Sequence, residues 1–485
     1  MTDTDSTSPP KPSRVRTLVD FLRRNPAYVG LALALLPLVV YKWRDLSLPY
    51  FWDELGVYGR AATYLHDHTL GLLPKHLPPE LSRGHPLFLM FVFGGLFRIF
   101  GATVFVAHAF MFLVALGLLV SVFHIAKTHW NTAVAFAATF LVMAQPLFLA
   151  QSTLLLPELP LALATLWTLH AFFRQRYLLA GICLALAIFI KETALVMGPV
   201  LGLMVLVPWI RKRPTWKTAL AALLALLLPA ALYGLFLLVQ KKQNGWYFFP
   251  LHEHHVNFAW AAMKGKFRDY IAFVFVEQGR YPLSILIGAW ITYRLFAKRE
   301  NGPRFPHAIT YFLGLFIATL IVFSAGNFFM KRYMLCVLVP LAMLGARAVY
   351  ELGHDQARVL FPIVAILAGF SLNEVASPGF NYDYDMSFRE VVRMQQEATA
   401  YVEKTIGVDK PTLTIFPPIF GLEDPRFGYA TKKFTRYSNL PMPDAQYAFV
   451  SEVYTRYTPP PGVRLELMKK FSSPYINFFV YRVIR

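Results

Sequence analysis

Long apolar segments recur along most of the chain, and they constrain its fold more than any other feature. About eleven are long enough, or nearly so, to cross a bilayer, which takes roughly 17–25 helical residues. They are residues 27–41, 103–126, 132–151, 156–173, 177–190, 194–210, 218–239, 281–296, 307–324, 333–350 and 359–372. With 56% hydrophobic and only 15% charged residues, the chain is predicted to be a mainly α-helical, multispanning membrane protein.

The basic residues between these segments predict the orientation. A further apolar stretch, residues 85–100, is barely long enough to span, and it could cross, re-enter or lie along the surface. We expect a juxtamembrane or re-entrant helix on the outer face, because this puts the basic loops on one side with the N-terminal tail: Lys127, Arg174, Arg176, 211–217, 298–304 and Arg358. The positive-inside rule makes that side cytoplasmic. We expect residues 1–26 to be a disordered, basic cytoplasmic tail in a protein of the inner (plasma) membrane.

The net charge of +19 does not indicate nucleic-acid binding here. The basic residues alternate with apolar segments, where they set orientation and meet anionic lipid or a phosphorylated ligand. The two cysteines, Cys183 and Cys336, lie in apolar segments. Neither a disulfide framework nor a thiolate metal site is therefore indicated.

Hydrophobicity falls after residue 373, and the periodicity changes. Residues 388–406 have the pattern of an amphipathic helix, and four later segments alternate like strands: 412–416, 447–453, 463–469 and 476–484. We expect a membrane domain over residues 27–373, with a first outer loop at 44–102, and a small extracytoplasmic α/β domain over 374–485.

Acidic residues at the outer ends of the apolar segments are the first candidates for chemistry. Asp53 and Glu54 are adjacent and stand among Tyr50, Phe51 and Trp52. A carboxylate beside the bilayer can act as a general base towards a hydroxyl, or hold a cation. A solvated loop with an aromatic anchor is the alternative.

Glu158 follows Pro157, and it is either a functional carboxylate or a favourable charge at a helix N-terminus.

Cationic residues at outer segment ends are the second group. Lys191 and the pair Lys331-Arg332 run against the charge bias of the loops, so an anion such as a lipid phosphate is the expected partner. Two alternatives stay open. Lys331 could extend its side chain to the membrane interface, and Lys191 could pair with its neighbour Glu192.

A histidine run is the third feature. His252, His254 and His255 lie in the largest later loop, and their spacing lets two of them share a face in either an extended or a helical segment. A divalent metal is one interpretation, and a solvated or substrate-contacting loop is the other.

Taken in order, these parts resemble the GT-C membrane glycosyltransferases, in particular the protein O-mannosyltransferases and the bacterial aminoarabinose and lipopolysaccharide-core sugar transferases. The likeness covers roughly residues 27–350. It is carried by Trp52-Asp53-Glu54 with Tyr58, by His85-Pro86-Leu87, by Glu158 after Gln151-Ser152, by Lys191, and by Arg332-Tyr333 with Pro340.

The resemblance implies an inverting transferase with a polyprenyl-phosphate sugar as donor and a lipid, glycan or protein acceptor outside the cytoplasm. It implies that Asp53 is the acceptor-side base and Glu158 the second acidic residue, with Glu54 as a further candidate catalytic residue. Lys191 and Arg332 are the candidates for binding the phosphate leaving group. The substrate-binding residues would be Arg60, Arg83, His85, Lys191, Arg332 and Tyr333. The alternatives are a flippase for lipid-linked saccharides and a non-catalytic relative that binds polyprenyl phosphate.

Overall fold

The computed structural model describes residues 25–210, 215–253, 257–296, 308–326, 328–379, 382–440, 442–453, 457–459 and 463–484. The chain forms two compact units, Met1–Trp43 and Arg44–Arg485. The described part of the first unit is the helix Pro26–Lys42, which begins at a proline. Proline suits a first helical turn because its missing N–H would have no partner there.

The second unit is mainly helical. Its helices are Gly59–Asp67, Pro79–Ser82, Phe88–Phe100, Val104–His129, Thr132–Met143, Pro146–Gln151, Glu158–Phe173, Tyr177–Ile190, Met197–Ile210, Trp216–Asn244, Pro250–Glu253, Trp260–Phe275, Tyr281–Phe296, Ala308–Ala325, Leu335–Leu352, Ala357–Ala376, Phe388–Thr405 and Pro418–Gly421. Short 3-10 or π turns cover Glu54–Tyr58, Glu192–Val196, Lys331–Met334 and Tyr382–Tyr384.

Within the described residues, five helical segments are long and apolar enough to cross a bilayer: Pro26–Ser47, Val104–His129, Trp216–Asn244, Lys331–Leu352 and Ala357–Ala376. Shorter apolar helices accompany them, among them Glu158–Phe173 and Tyr177–Ile190. The helix Phe88–Phe100 has 13 residues, or about 20 Å of rise, which is less than the roughly 30 Å of a bilayer core.

Side-chain caps and helix breakers explain several boundaries. Thr103 accepts a hydrogen bond from the backbone N–H of Val106 and begins the helix Val104–His129, as an N-cap threonine does. The apolar segment predicted at 132–151 is two helices, Thr132–Met143 and Pro146–Gln151. The break falls before Pro146 because proline lacks an N–H and disfavours helical backbone at the residue before it.

One helix is central. Leu335–Leu352 packs against Thr132–Met143, Tyr281–Phe296 and Ala308–Ala325, and its residues 335–346 are all buried. An all-round apolar surface of this kind suits a helix enclosed by other helices. Its position fixes Arg332 and Tyr333, which lie in the 3-10 turn just before it.

The C-terminal part of the unit contains a five-stranded sheet. The strands are β1 (Thr412–Thr414), β2 (Tyr437–Ser438), β3 (Tyr447–Ser451), β4 (Arg464–Ser472) and β5 (Asn477–Ile484). Their order is β2-β1-β3-β5-β4. β1 is parallel to β2 and β3, and β5 is antiparallel to β3 and β4. The helix Phe388–Thr405 packs on β4 and β5. The four predicted strands and the amphipathic helix are present, and β2 is an addition.

Candidate functional site

Arg332 joins two aspartates from distant parts of the chain. Its Nη2 donates to Asp53 Oδ2, and its Nη1 donates to Asp383 Oδ2. The Arg332 and Asp383 side chains are 4% and 3% exposed, whereas Asp53 is 36% exposed. Asp53 is therefore the carboxylate of this group that a substrate can reach.

A second ion pair lies beside the first. Lys191 Nζ donates to Glu158 Oε1 over 2.7 Å, and Arg332 Nε lies 3.4 Å from the same oxygen. The Lys191 ammonium also sits over the Tyr333 ring, 3.4 Å from its centroid, which is a cation–π contact. Glu158 is the first residue of its helix. It therefore lies at a helix N-terminus, as one of the two interpretations predicted, and it also forms an ion pair with Lys191.

Two buried polar atoms of this group form no hydrogen bond within the described residues. They are Glu158 Oε2 and Arg332 Nε, and both are shielded from solvent. Buried polar groups normally have partners, because an unsatisfied one costs about 1–3 kcal/mol. The Glu158–Arg332 group thus offers both an acceptor and a donor to a ligand.

The charges around Asp53 set its protonation state. Burial alone would raise the pKa of Asp53, but the charge and hydrogen bond of Arg332, helped by Arg83 and Lys191, lower it below its usual value. Burial raises the pKa of Asp383, and the nearby carboxylates of Asp53 and Glu158 add to this effect against the opposing charge of Arg332. Asp53 is consequently the more readily ionised of the two aspartates.

A cavity opens next to these charges. Its charged and polar lining consists of Glu158, Lys191, Tyr333, Thr165, Thr193 and Ser324. Apolar side chains form the remaining lining: Leu161, Ala194, Val196, Met197, Phe316, Leu320, Phe323 and Cys336. A long apolar ligand with an anionic end matches this distribution.

Aromatic contacts hold the Asp53 and Asp383 loops together. Trp52 has a positive φ of 40°, and its ring lies 4.5 Å from that of Tyr382. Strained backbone of this kind in a non-glycine residue persists only where surrounding contacts fix it. Gln278 Nε2 donates to the Tyr384 carbonyl over 2.6 Å, which ties down the other side of Asp383.

Three of the predicted site residues have other partners. Glu54 is fully buried, and its carboxylate accepts from the backbone N–H groups of Phe51 and Leu155 and lies 3.0 Å from His108 Nε2. Arg60 pairs with Glu423 at 2.8 Å. His85 Nδ1 lies 3.2 Å from Glu192. The structure therefore brings Asp53, Glu158, Lys191, Arg332 and Tyr333 together, with Arg83 close enough to act on Asp53.

The histidine run is only partly described. The His252 ring lies 5.2 Å from the His85 ring, whereas His254 and His255 lie outside the described residues. Among the residues that are described, no three His, Cys, Asp or Glu side chains converge as metal ligands would.

The chain is similar to known proteins in sequence and in fold. A model of the dolichyl-phosphate-mannose-protein mannosyltransferase family matches residues 84–233. ArnT from Cupriavidus metallidurans bound to undecaprenyl phosphate matches with a TM-score of 0.57 at 14% identity, over 94% of this chain and 98% of that chain. Its apo state matches with a TM-score of 0.58 at 13% identity and the same coverage. A search of curated proteins finds no match.

The chain has the GT-C fold. The predicted resemblance and the predicted fold class, a polytopic helical membrane protein with a small C-terminal α/β region, are both confirmed. The match to the family model includes His85, Glu158 and Lys191 and ends before Arg332.

Asp383 is the site residue that the sequence did not predict. It lies in the 3-10 turn Tyr382–Tyr384, beyond the last apolar helix. The available signal was its pair of flanking tyrosines, since Asp53 also stands next to aromatic residues.

Proposed function

We propose that this protein is an integral-membrane glycosyltransferase that moves a sugar, with inversion, from a polyprenyl-phosphate donor to an acceptor hydroxyl. The observation that carries the proposal is the position of Asp53. It is a partly exposed carboxylate, paired with Arg332, next to the Lys191–Glu158 pair that forms the charged part of a mainly apolar cavity.

Asp53 has the properties of an acceptor-side base. Arg332 holds the pKa of this half-buried carboxyl below its usual value against the effect of burial, so the group is ionised at neutral pH. An ionised carboxylate accepts a hydrogen bond from a sugar or lipid hydroxyl and takes the proton as the new bond forms. Its 36% exposure leaves room for that hydroxyl.

The cationic residues suit the leaving group. When the sugar C1–O bond breaks, the polyprenyl phosphate gains negative charge, which a fixed cation in a poorly hydrated site stabilises. Lys191 lines the cavity, and Arg332 lies 3.4 Å from Glu158 in the same group. The apolar walls offer a surface for the isoprenoid chain, and a structural relative has been solved bound to undecaprenyl phosphate.

The bonds and charges balance in one displacement. The acceptor oxygen forms a bond to the sugar C1 from the face opposite the phosphate, Asp53 takes the hydroxyl proton, and the C1–O bond leaves its electrons on the phosphate. The products are the glycosylated acceptor with inverted configuration, polyprenyl phosphate and protonated Asp53. Solvent then removes the proton from Asp53.

We further propose that the site faces the outer side of the plasma membrane, with the N-terminal tail inside and residues 374–485 outside. The basic loops support this orientation. Chemical labelling of single cysteines at Arg174 and at Lys469 tests it. Labelling of Arg174→Cys from outside the cell would contradict the orientation.

The decisive experiment measures free polyprenyl phosphate released from a panel of polyprenyl-phosphate sugars. The protein is held in bilayers with membrane extract as acceptor source, and wild type is compared with Asp53→Asn. Asp269→Asn, which changes an aspartate with a 45% exposed side chain that pairs with its neighbour Arg268, is the charge-matched control. Release by wild type and the control but not by Asp53→Asn supports the proposal. Movement of intact donor across the bilayer without release would instead indicate a flippase.

A further inference from the structure

A compact group of histidines lies at the far end of the helix that begins with Glu158. His170 is in the last turn of Glu158–Phe173, and His124 and His129 are near the end of Val104–His129. His129 Nε2 lies 3.3 Å from His170 Nδ1, and the His124 and His170 ring centroids are 5.7 Å apart. At 1.5 Å of rise per residue, His170 is about 18 Å along the helix from Glu158.

Arginines surround this histidine group on the loop that follows. Arg174 ends the helix Glu158–Phe173, Arg176 precedes Tyr177–Ile190, and both charges act on His170. Both side chains are exposed, and neither forms an ion pair within the described residues. The sequence has no Asp or Glu between Glu80 and Glu158 or between Glu158 and Glu192. The local electrostatic field is thus positive, and no neighbouring acid in these helices cancels it.

The same place has hydrogen-bond donors suited to an anion. The indole N–H of Trp130, the residue after His129, is buried and has no acceptor within the described residues. His170 is 9% exposed, while His124 and His129 are half-buried. A phosphate oxygen is a good acceptor for imidazole, indole and guanidinium N–H groups at once.

Apolar side chains next to the group identify the kind of anion. Leu178 is 77% exposed and Ile182 is 57% exposed on the helix that follows Arg176. Leucine and isoleucine exposed to this degree on a membrane helix face acyl chains. A ligand with a phosphate at the cluster and hydrocarbon alongside this helix is a phospholipid, whereas free phosphate would leave the apolar surface without a partner.

We propose that His124, His129, His170, Arg174 and Arg176 bind the phosphate headgroup of an anionic phospholipid at the membrane surface opposite the candidate active site. The site is independent of the proposed transferase reaction, because none of its residues belongs to the Asp53 group. The bound lipid fixes the ends of Val104–His129 and Glu158–Phe173, which pack against each other.

Native mass spectrometry of the full-length protein, titrated with phosphatidylglycerol or phosphatidylcholine in detergent, tests the site. Arg174→Gln/Arg176→Gln changes two exposed side chains and should leave the fold intact. Lys217→Gln/Arg358→Gln is the matched control, since both of its side chains are also exposed. We expect the first variant to weaken phosphatidylglycerol binding by roughly ten-fold or more and the control to change it by less than about two-fold. Equal losses in the two variants would overturn the site.

Two further arms separate the ligand source and the role of the imidazoles. Inorganic phosphate should fail to displace phosphatidylglycerol, and displacement would overturn the lipid assignment. At constant pH, His129→Gln should weaken phosphatidylglycerol binding, because the imidazole would no longer donate to the phosphate. Unchanged binding in His129→Gln would overturn the role of the histidines.

Discussion

Asp53 and Arg332 are 279 residues apart in the sequence and form an ion pair in the fold. Arg332 lies just before the central helix, whose position is fixed by packing, whereas Asp53 has a partly exposed side chain and lies directly before the turn Glu54–Tyr58. A buried arginine with several carboxylate neighbours holds a fixed geometry, because its planar fork presents separate N–H groups to each. The accessible carboxylate therefore has a fixed position and a lowered pKa.

Asp53→Asn should abolish chemistry but not lipid binding. Loss of a general base typically costs 10²- to 10⁴-fold, so we expect at least about a hundred-fold slower release of polyprenyl phosphate. Arg332 keeps Asp383 and Glu158 as neighbours, so the fold should survive. Binding of labelled polyprenyl phosphate, measured on the same preparation, should stay within about three-fold of wild type. A comparable loss of binding would mean that Asp53 positions the donor instead.

Substitutions of Arg332 should separate charge from geometry. Arg332→Lys keeps the charge but cannot donate along two fixed directions to Asp53 and Asp383. Arg332→Met leaves buried carboxylates uncompensated, a change that costs about 3–5 kcal/mol. We expect the apparent Tm to fall in the order wild type, Arg332→Lys, Arg332→Met, with little turnover in either variant. Full turnover in Arg332→Lys would contradict the need for the bridging geometry.

Glu54→Gln should destabilise the protein with little effect on the chemistry of the folded fraction. Glu54 accepts from two backbone N–H groups and contacts His108. A glutamine offers one acceptor oxygen, and its NH2 group then faces one of the two backbone N–H donors, which is left unsatisfied at a cost of about 1–3 kcal/mol. Two measurements on Glu54→Gln check this prediction: the Tm of thermal unfolding and the rate of turnover per folded molecule. A normal Tm with lost turnover would instead support the catalytic role that the resemblance implied.

The pH dependence should follow from the opposite pKa shifts of the two aspartates. The pKa of Asp53 is lowered in the folded protein by Arg332 in spite of burial. Its stabilising contribution is therefore complete above its unfolded pKa of about 3.9 and is lost only as the pH falls through the lower folded value. Asp383, whose pKa is raised chiefly by burial, takes up a proton first as the pH falls.

Initial rates of polyprenyl phosphate release between about pH 7 and pH 5 test this order of protonation, because Asp53 stays ionised throughout that range. We expect wild type to lose no activity in this range through protonation of Asp53. Because Asp383 takes up a proton before Asp53 as the pH falls, an acid-side loss of rate that Asp383 causes should be absent in Asp383→Asn. A full acid limb near pH 6 in both proteins would point to a base other than Asp53.

The sequence predicted most membrane helices because apolar length and charge bias are local properties. Tyr177–Ile190 and Tyr281–Phe296 have the predicted boundaries. The break before Pro146 was missed because the apolar run continues on both sides of it. Strand β2 has two residues, which is too short for an alternating pattern to be detected.

The candidate site was predictable as a set of residues but not as a set of pairs. Asp53, Glu158, Lys191 and Arg332 were each predicted from charges at the ends of apolar segments. Sequence position alone pairs Lys191 with Glu192, whereas the fold pairs Lys191 with Glu158 and Glu192 with His85. Glu54, although adjacent to Asp53, faces the interior because successive residues of a helical turn point in different directions.

Arg60 provides a test that distinguishes a tertiary contact within the fold from a contact with the donor. Its guanidinium pairs with Glu423 and lies over the Phe420 ring, 4.6 Å from the centroid, so it links the first loop to the C-terminal region. The pair is partly exposed, and pairs of this kind contribute about 0–1 kcal/mol. Arg60→Gln and Glu423→Gln should each raise protease sensitivity near residue 423 slightly, and the double variant should add nothing further. Donor binding should be unchanged in all three, and weaker binding in Arg60→Gln alone would show that Arg60 contacts the donor.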